Sequence, residues 1–363
     1  MIKKFFGLTI LCIYFLVLAV AMTNGPLVSF QSLILGLLGL IVITIGSSSI
    51  AKSINLVDIP DNFRKLHEGN VPLIGGIVIF ISVVYGTFVF GVDPFYRYLI
   101  ISLVPILIVG IIDGIGTIAV PISFRLVAQI LASWIVILFS DVYLKDLGDL
   151  FGQGTLHLNQ FGIPFTIFAV VGICNAFNML DGKDGLVGSV AVVIISSLLL
   201  LLYLNGIIYA WGLVLILSLA VFLAFNLNLF GNKQKIFLGE HGSSSLGHLI
   251  AWNLIHLSQE TDFITPVTAL WFVFYPLTDA LFTITRRIKI SQSIVKADRQ
   301  HLHYLLSDHG FSDKKILLIV VFVSILGAIA AVTANVLDIQ DYYLFYGYIT
   351  VAVCLWLLGR TQS

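Results

Sequence analysis

Residues 175–204 read NAFNMLDGKDGLVGSVAVVIISSLLLLLYL, and this stretch decides the fold. Its second part, 186–204, runs without a single charge. Wound as an α-helix at 1.5 Å per residue, it reaches about 28 Å, close to the hydrocarbon thickness of a bilayer. Its first part sets two amides and two carboxylates, Asn175, Asn178, Asp181 and Asp184, at the mouth of that run. Charges at a membrane boundary are costly unless solvated or paired, so four such groups in ten residues point to a task.

The apolar pattern recurs in both directions. Twelve segments are expected at 5–22, 29–50, 73–91, 97–112, 124–143, 162–180, 186–204, 207–228, 242–257, 266–285, 315–335 and 342–358, with 97–112 and 242–257 the shortest. The 363 residues are 59% hydrophobic and 10% charged, with mean hydropathy +1.05. Soluble domains carry about a quarter charged residues, so a soluble enzyme, a disordered chain and a secreted disulfide scaffold are excluded. A transmembrane β-barrel would alternate in short segments, whereas these runs are continuous. Cys12, Cys174 and Cys354 all lie in apolar runs and form no C-x-x-C pair. The expected fold is an all-α polytopic membrane protein of about 11–12 transmembrane helices. Residues 1–25 form an extra N-terminal helix or a signal-like segment, since Lys3-Lys4 precede an apolar stretch ending Ala19-Val20-Ala21; the uncleaved helix is favoured. Residues 26–363 read as one integral-membrane domain.

Sidedness follows from charge. With Lys3 and Lys4 inside, 17 of the 19 Lys/Arg fall on the cytoplasmic side; only Arg97 and Lys145 fall outside. The acids divide 11 inside and 8 outside, so the faces carry +6 (17 − 11) and −6 (2 − 8). That is the positive-inside pattern.

Chemistry must then come from the cytoplasmic connections. In 51–72, Arg64, Lys65 and His67 lie within four residues and lead to Gly75-Gly76, either an anion-binding loop or an anchor for anionic lipid. Asp113-Gly114 closes one apolar helix and Arg125 opens the next, as helix-end polar groups if taken alone. Asn175/Asn178 and Asp181/Asp184 share i, i+3 spacing around Lys183, Gly182 and Gly185, an oxygen set suited to Mg²⁺ or sugar hydroxyls. Gly239-Glu240-His241-Gly242-Ser243 opens a helix whose free N–H groups and hydroxyls suit a phosphate, with Glu240 able to hold a divalent cation; the plain alternative is an N-capping run. In 286–314, Arg299, His301 and His303 lie in a basic loop. Histidines at i, i+2 do not share a helix face, so a helical zinc site is disfavoured and contact with phosphate or nucleotide is preferred.

Taken together, VDIPDNFRKLHEGNVPLIGG, NAFNMLDGKDGL, KIFLGEHGSSSLG, ITPVTALW and ADRQHLHYLL resemble, in order, the polyprenyl-phosphate N-acetylhexosamine-1-phosphate transferases, glycosyltransferase family 4, most strongly the WecA-like branch. The likeness spans about residues 50–315. It implies that a polyisoprenyl (undecaprenyl) phosphate attacks the β-phosphate of a UDP-N-acetylhexosamine, UDP-GlcNAc by default, and that UMP leaves. It implies catalytic roles for Asp113, Asp181 and Asp184, and a metal, Mg²⁺ with Mn²⁺ as alternative, at Glu240 and Asp181. Substrate contacts would come from Arg64, Lys65, His67, Arg125, Asn175, Asn178, Lys183, Ser243, Arg299, His301 and His303. The implied setting is the bacterial inner membrane with a cytoplasmic site; no nucleic-acid partner is expected, and a homodimer is left open. A phosphate monoester is already mostly dianionic at neutral pH, so deprotonating the nucleophile is a small part of the barrier and bringing anions together is the large part.

Three departures stand out. The family pattern has Asp-Asp where this chain has Asp113-Gly114, Gly-Asp where it has Gly239-Glu240, and H-x-H-H where it has His301-Leu302-His303-Tyr304. An active enzyme with an adapted site is preferred over an impaired homologue that binds lipid phosphate or nucleotide sugar. A transporter is disfavoured, because the polar motifs gather at one face rather than at the midplane.

Overall fold

The computed structural model describes residues 30–60, 69–89, 93–116, 120–207, 209–261, 263–293 and 301–360. The first apolar segment, 5–22, and the question of its cleavage lie outside them. Among the described residues there are thirteen α-helices: α1 (Phe30–Ser53), α2 (Gly75–Val89), α3 (Pro94–Ile115), α4 (Ile122–Ser140), α5 (Gly162–Leu180), α6 (Leu186–Leu204), α7 (Ala210–Asn226), α8 (Glu240–Gln259), α9 (Pro266–Phe272), α10 (Phe274–Lys289), α11 (Leu302–Asp308), α12 (Asp313–Val336) and α13 (Asp341–Arg360). The one small sheet pairs β1 (Val57–Asp58) with β2 (Val71–Pro72), antiparallel.

Each of the eleven apolar segments expected from residue 29 onward is helical, and the chain is a multi-pass membrane protein. Local chemistry sets several ends. Asp93 caps α3 by accepting the Phe95 N–H at 2.8 Å, Pro94 stands where no donor is needed, and Gly116 closes the helix at φ 70.

Six helices (α1, α3, α4, α5 with its preceding turn, α6 and α12) are long and apolar enough to cross a membrane, and α9–α10 adds a seventh if counted as one bent span. The expected single span at 266–285 is therefore corrected: α9 and α10 meet at 84°. Pro276 supplies the reason. It has no N–H for the Phe272 carbonyl four residues back, and its ring clashes with that carbonyl, so the helix stops at Phe272 and restarts. Helices α2 and α7 are shorter, at 15 and 17 residues.

Helix α8 has the length but not the apolarity of a lipid-facing span, and sixteen of its 20 residues are buried in the bundle. His241, Ser245, His248, Trp252 and His256 recur along one face of it, and each keeps a buried nitrogen or oxygen without a hydrogen-bond partner among the described residues. His248 Nε2 lies 2.8 Å from Ser102 Oγ of α3, and the His256 ring stacks on Phe95 at 4.1 Å. Its packing is close: a Cβ on Gly76 would meet the Gly242 backbone, one on Gly110 would meet the His241 backbone, and one on Gly247 would meet Cys174 of α5. The pair Gly75-Gly76, expected to let backbone approach a ligand, instead lets α2 approach α8. The Gly75 and Gly76 N–H groups donate to the Phe237 and Leu238 carbonyls at 2.9 and 3.1 Å, tying the start of α2 to the stretch that leads into α8.

Candidate active site

Five connections converge at the end of the bundle where α3, α5, α8 and α10 begin or finish. Asp113, in the last turn of α3, and Glu240, first residue of α8, both reach Arg125 of α4. Arg125 Nη2 is 3.2 Å from each Asp113 oxygen, and Nη1 is 2.5 Å from Glu240 Oε2. A planar guanidinium can bridge two carboxylates in this way; an ammonium cannot hold both in fixed geometry. The side chains are 24–29% exposed, open to water yet partly desolvated. A Cβ at Gly114 would fall 2.8 Å from Leu56 Cδ1, the end of a flexible side chain. The second carboxylate of the family pattern would therefore require the Leu56 side chain to shift.

The α5–α6 connection supplies Asp181 to Gly185. Gly185 takes φ 75, and its N–H donates to Asn226 Oδ1 at 2.6 Å, while Asn226 Nδ2 donates to the Ile236 carbonyl at 3.0 Å. One asparagine thus ties two connections together. Asp184 pairs with Lys235 at 2.6 Å, and Lys183 with Asp313 at 2.5 Å and Ser307 at 3.2 Å. Lys183, expected to meet substrate, is held by α11 and α12 in this arrangement.

Asp181 differs from these neighbours. No cation pairs with it among the described residues, and the groups acting on it are acidic. Its surrounding protein, then Asp58, Asp184 and Glu240, push its carboxyl up to about 7 from an ordinary value near 3.8. Its side chain is also open at the surface, so water tempers that push. No three His, Cys, Asp or Glu side chains among the described residues converge on one metal position. Mg²⁺ does not demand that. It keeps several waters and commonly takes one or two carboxylates plus substrate phosphates, so Asp181, unpaired among the described residues and close enough to Asp58, Asp184 and Glu240 to be raised by their charge, is a carboxylate that suits it.

Asn178 Nδ2 donates to Ser243 Oγ at 3.2 Å, so two expected substrate contacts meet each other. Ser243 is fully buried, with its hydroxyl 3.3 Å from the Gly239 and Glu240 carbonyls. Of the two readings of this helix start, the structure shows a packed first turn in which Ser243 and Ser244 meet neighbouring helices. Asn175 likewise donates to Gln129 at 2.8 Å and to the Val171 carbonyl at 2.7 Å, and Gln129 reaches Ser244 at 3.4 Å. Arg64, Lys65, His67 and Arg299 lie outside the described residues.

His303 is fully buried, neither ring nitrogen has a partner among the described residues, and a Cβ on Gly182 would collide with its Nε2 and the Tyr304 hydroxyl. Gly182 is therefore where the histidine loop and the aspartate loop touch. Burial, with His301 and Lys183 nearby, pushes His303 down to about 4 against the pull of Asp279, so its imidazole is neutral at pH 7. Three contributors escaped the sequence reading as site residues. Asp58 and Lys235 sit in connections that had been read, but only the charge of Asp58 acting on Asp181 and the pairing of Lys235 with Asp184 mark them. Asp279 sits inside an expected span; an acid within an apolar segment was the available signal.

The sequence profile of glycosyl transferase family 4 matches residues 96–258. A protein from Escherichia coli (strain K12), described as undecaprenyl-phosphate alpha-N-acetylglucosaminyl 1-phosphate transferase, is 34% identical over 293 residues, 79% of this chain and 78% of its own length. Proteins of the same description from Yersinia pestis and Haemophilus influenzae are 33% and 34% identical, over 82% and 87% of this chain and 85% and 90% of theirs.

Proposed function

The chain belongs to glycosyl transferase family 4, and from that premise we propose that it transfers N-acetylhexosamine 1-phosphate, GlcNAc 1-phosphate first, from a UDP-sugar to undecaprenyl phosphate. UMP is released, and the lipid diphosphate sugar begins a cell-surface polysaccharide. The observation that carries this reading is the gathering of Asp113, Arg125, Asp181, Asp184, Glu240 and the two histidines at one end of a bundle of apolar spans. A lipid phosphate keeps its chain in hydrocarbon and presents its head at that boundary, where a water-soluble sugar nucleotide can meet it. We assign this end to the cytoplasmic face of the bacterial inner membrane, on the division of Lys/Arg and on the cytosolic origin of nucleotide sugars.

Within this reading Asp181, with Glu240 beside it, holds Mg²⁺, with Mn²⁺ as alternative. When bound, the ion offsets the charge of the phosphates and lets them approach. The protein's own groups fix the arrangement. Arg125 keeps Asp113 and Glu240 from repelling each other and orients both. Lys235 holds Asp184 at the loop that carries Asp181. Gly182 admits His303 beside that loop, where a neutral imidazole donates one hydrogen bond to a phosphate oxygen without adding charge. The attacking phosphate is already mostly dianionic, so these groups act chiefly by position and electrostatics.

The test is UMP release by the purified protein given undecaprenyl phosphate and a panel of UDP-sugars. Release should require both substrates and a divalent ion, with UDP-GlcNAc the best donor. Asp181→Asn should lower it on the order of 10³-fold while the protein still inserts. Release that ignores the lipid, or survives chelator unchanged, defeats the reading; binding of substrates without release favours a non-catalytic homologue.

A further inference from the structure

Asp279 belongs to no motif. It lies on α10, is one-tenth exposed, and uses its two oxygens differently. Oδ1 accepts the Leu302 N–H at 3.0 Å, at the start of α11. Oδ2 lies 2.9 Å from His301 Nδ1. Thr283 Oγ1, one turn along α10, lies 3.1 Å from the same nitrogen. His301 is 4% exposed and its ring lies parallel to that of His303, with centroids 5.7 Å apart and planes 4° off. The ring is thus held at its Nδ1 edge and across one face, and Nε2 is the nitrogen left without a protein partner among the described residues.

A carboxylate can only accept, so it makes Nδ1 the proton-bearing nitrogen and leaves Nε2 for a ligand. We propose, resting on the transfer reading above, that Asp279 is the positioning residue for His301: it fixes the tautomer and orientation in which His301 Nε2 meets the phosphate-bearing substrates. Asparagine separates this role from simple packing. It has nearly the same shape but only one oxygen. If that oxygen keeps the Leu302 N–H, the new NH₂ faces Nδ1, forces it to accept, and moves the ring proton to Nε2.

Two measurements on the full chain in lipid test this. First, ¹⁵N spectra of histidine-labelled protein at pH 8, with the His301 signal assigned by its loss in His301→Gln, should show the proton on Nδ1 in the wild type and on Nε2 in Asp279→Asn. Second, in the UMP-release assay Asp279→Asn should lower kcat about 10- to 100-fold, as loss of an orienting partner does, with KM for both substrates within roughly 3-fold. Asp279→Glu should recover part of the rate. Asp279→Asn should add nothing in the His301→Gln background. A wild-type proton on Nε2, an unchanged tautomer in Asp279→Asn, or additive losses in the double variant would overturn the proposal. If the tautomer switches as expected but the wild type releases no UMP with any UDP-sugar, the positioning role stands and the transfer reading falls.

Discussion

Asp181 shows how one residue links charge, stability and metal. Its carboxyl sits above its ordinary value in the folded chain. The folded state therefore binds more protons than the unfolded state between about pH 4 and about pH 7, and stability falls as pH rises through that window. A divalent cation at Asp181 should reverse the loss. In thermal unfolding with chelator, the midpoint should drop from pH 5 to pH 8. Mg²⁺ should raise it more at pH 8 than at pH 5, and Asp181→Asn should remove both effects. Equal Mg²⁺ shifts in wild type and variant at both pH values would place the ion elsewhere. Arg125 makes the complementary point. Asp113 and Glu240 could be picked out as carboxylates from their motifs, but that one guanidinium joins them depends on α4 packing beside α3 and α8, which no local pattern encodes.

At the scale of elements, apolar runs of about 20 residues announced the helices because nothing else keeps so much backbone satisfied in lipid. The bend between α9 and α10 was harder to read. Residues 269–275 are apolar across the break, and Pro276 is the helix-breaking residue beside it, in a setting where membrane helices often tolerate proline. That bend matters to the site, because Asp279 and Thr283 lie on the arm it redirects. Pro276→Ala restores a donor for the Phe272 carbonyl and should favour a straighter α9–α10. Spin labels near residues 268 and 288 should then move apart, and UMP release should fall although neither label site nor Pro276 is among the residues assigned to substrate. An unchanged label distance would mean that packing against α12, not proline, sets the angle. The serine run after Glu240 left two readings open, because hydroxyls at a helix start look the same in sequence whether they face a ligand or, as Ser243 does, a neighbouring asparagine.

For the whole molecule, charge separates to two ends. At the end opposite the site, Lys145 pairs with Glu260 at 3.0 Å and the Asp149 N–H donates to Asp341 at 3.2 Å, so the acids left outside by the positive-inside count gather together. A reporter fused after residue 155 should read periplasmic and one after residue 300 cytoplasmic; the reverse at either point breaks the orientation. The polar face of α8 has a bearing on biosynthesis. A segment carrying His241, Ser245, His248 and His256 is a poor candidate to leave the insertion machinery for lipid alone. Three of the helices that bury it, α2, α3 and α5, precede it in the chain and emerge from the ribosome first; the short α9, which also packs on it, follows. The order of the sequence thus doubles as an order of assembly, in which early helices form a receptacle before the least lipid-soluble one is made.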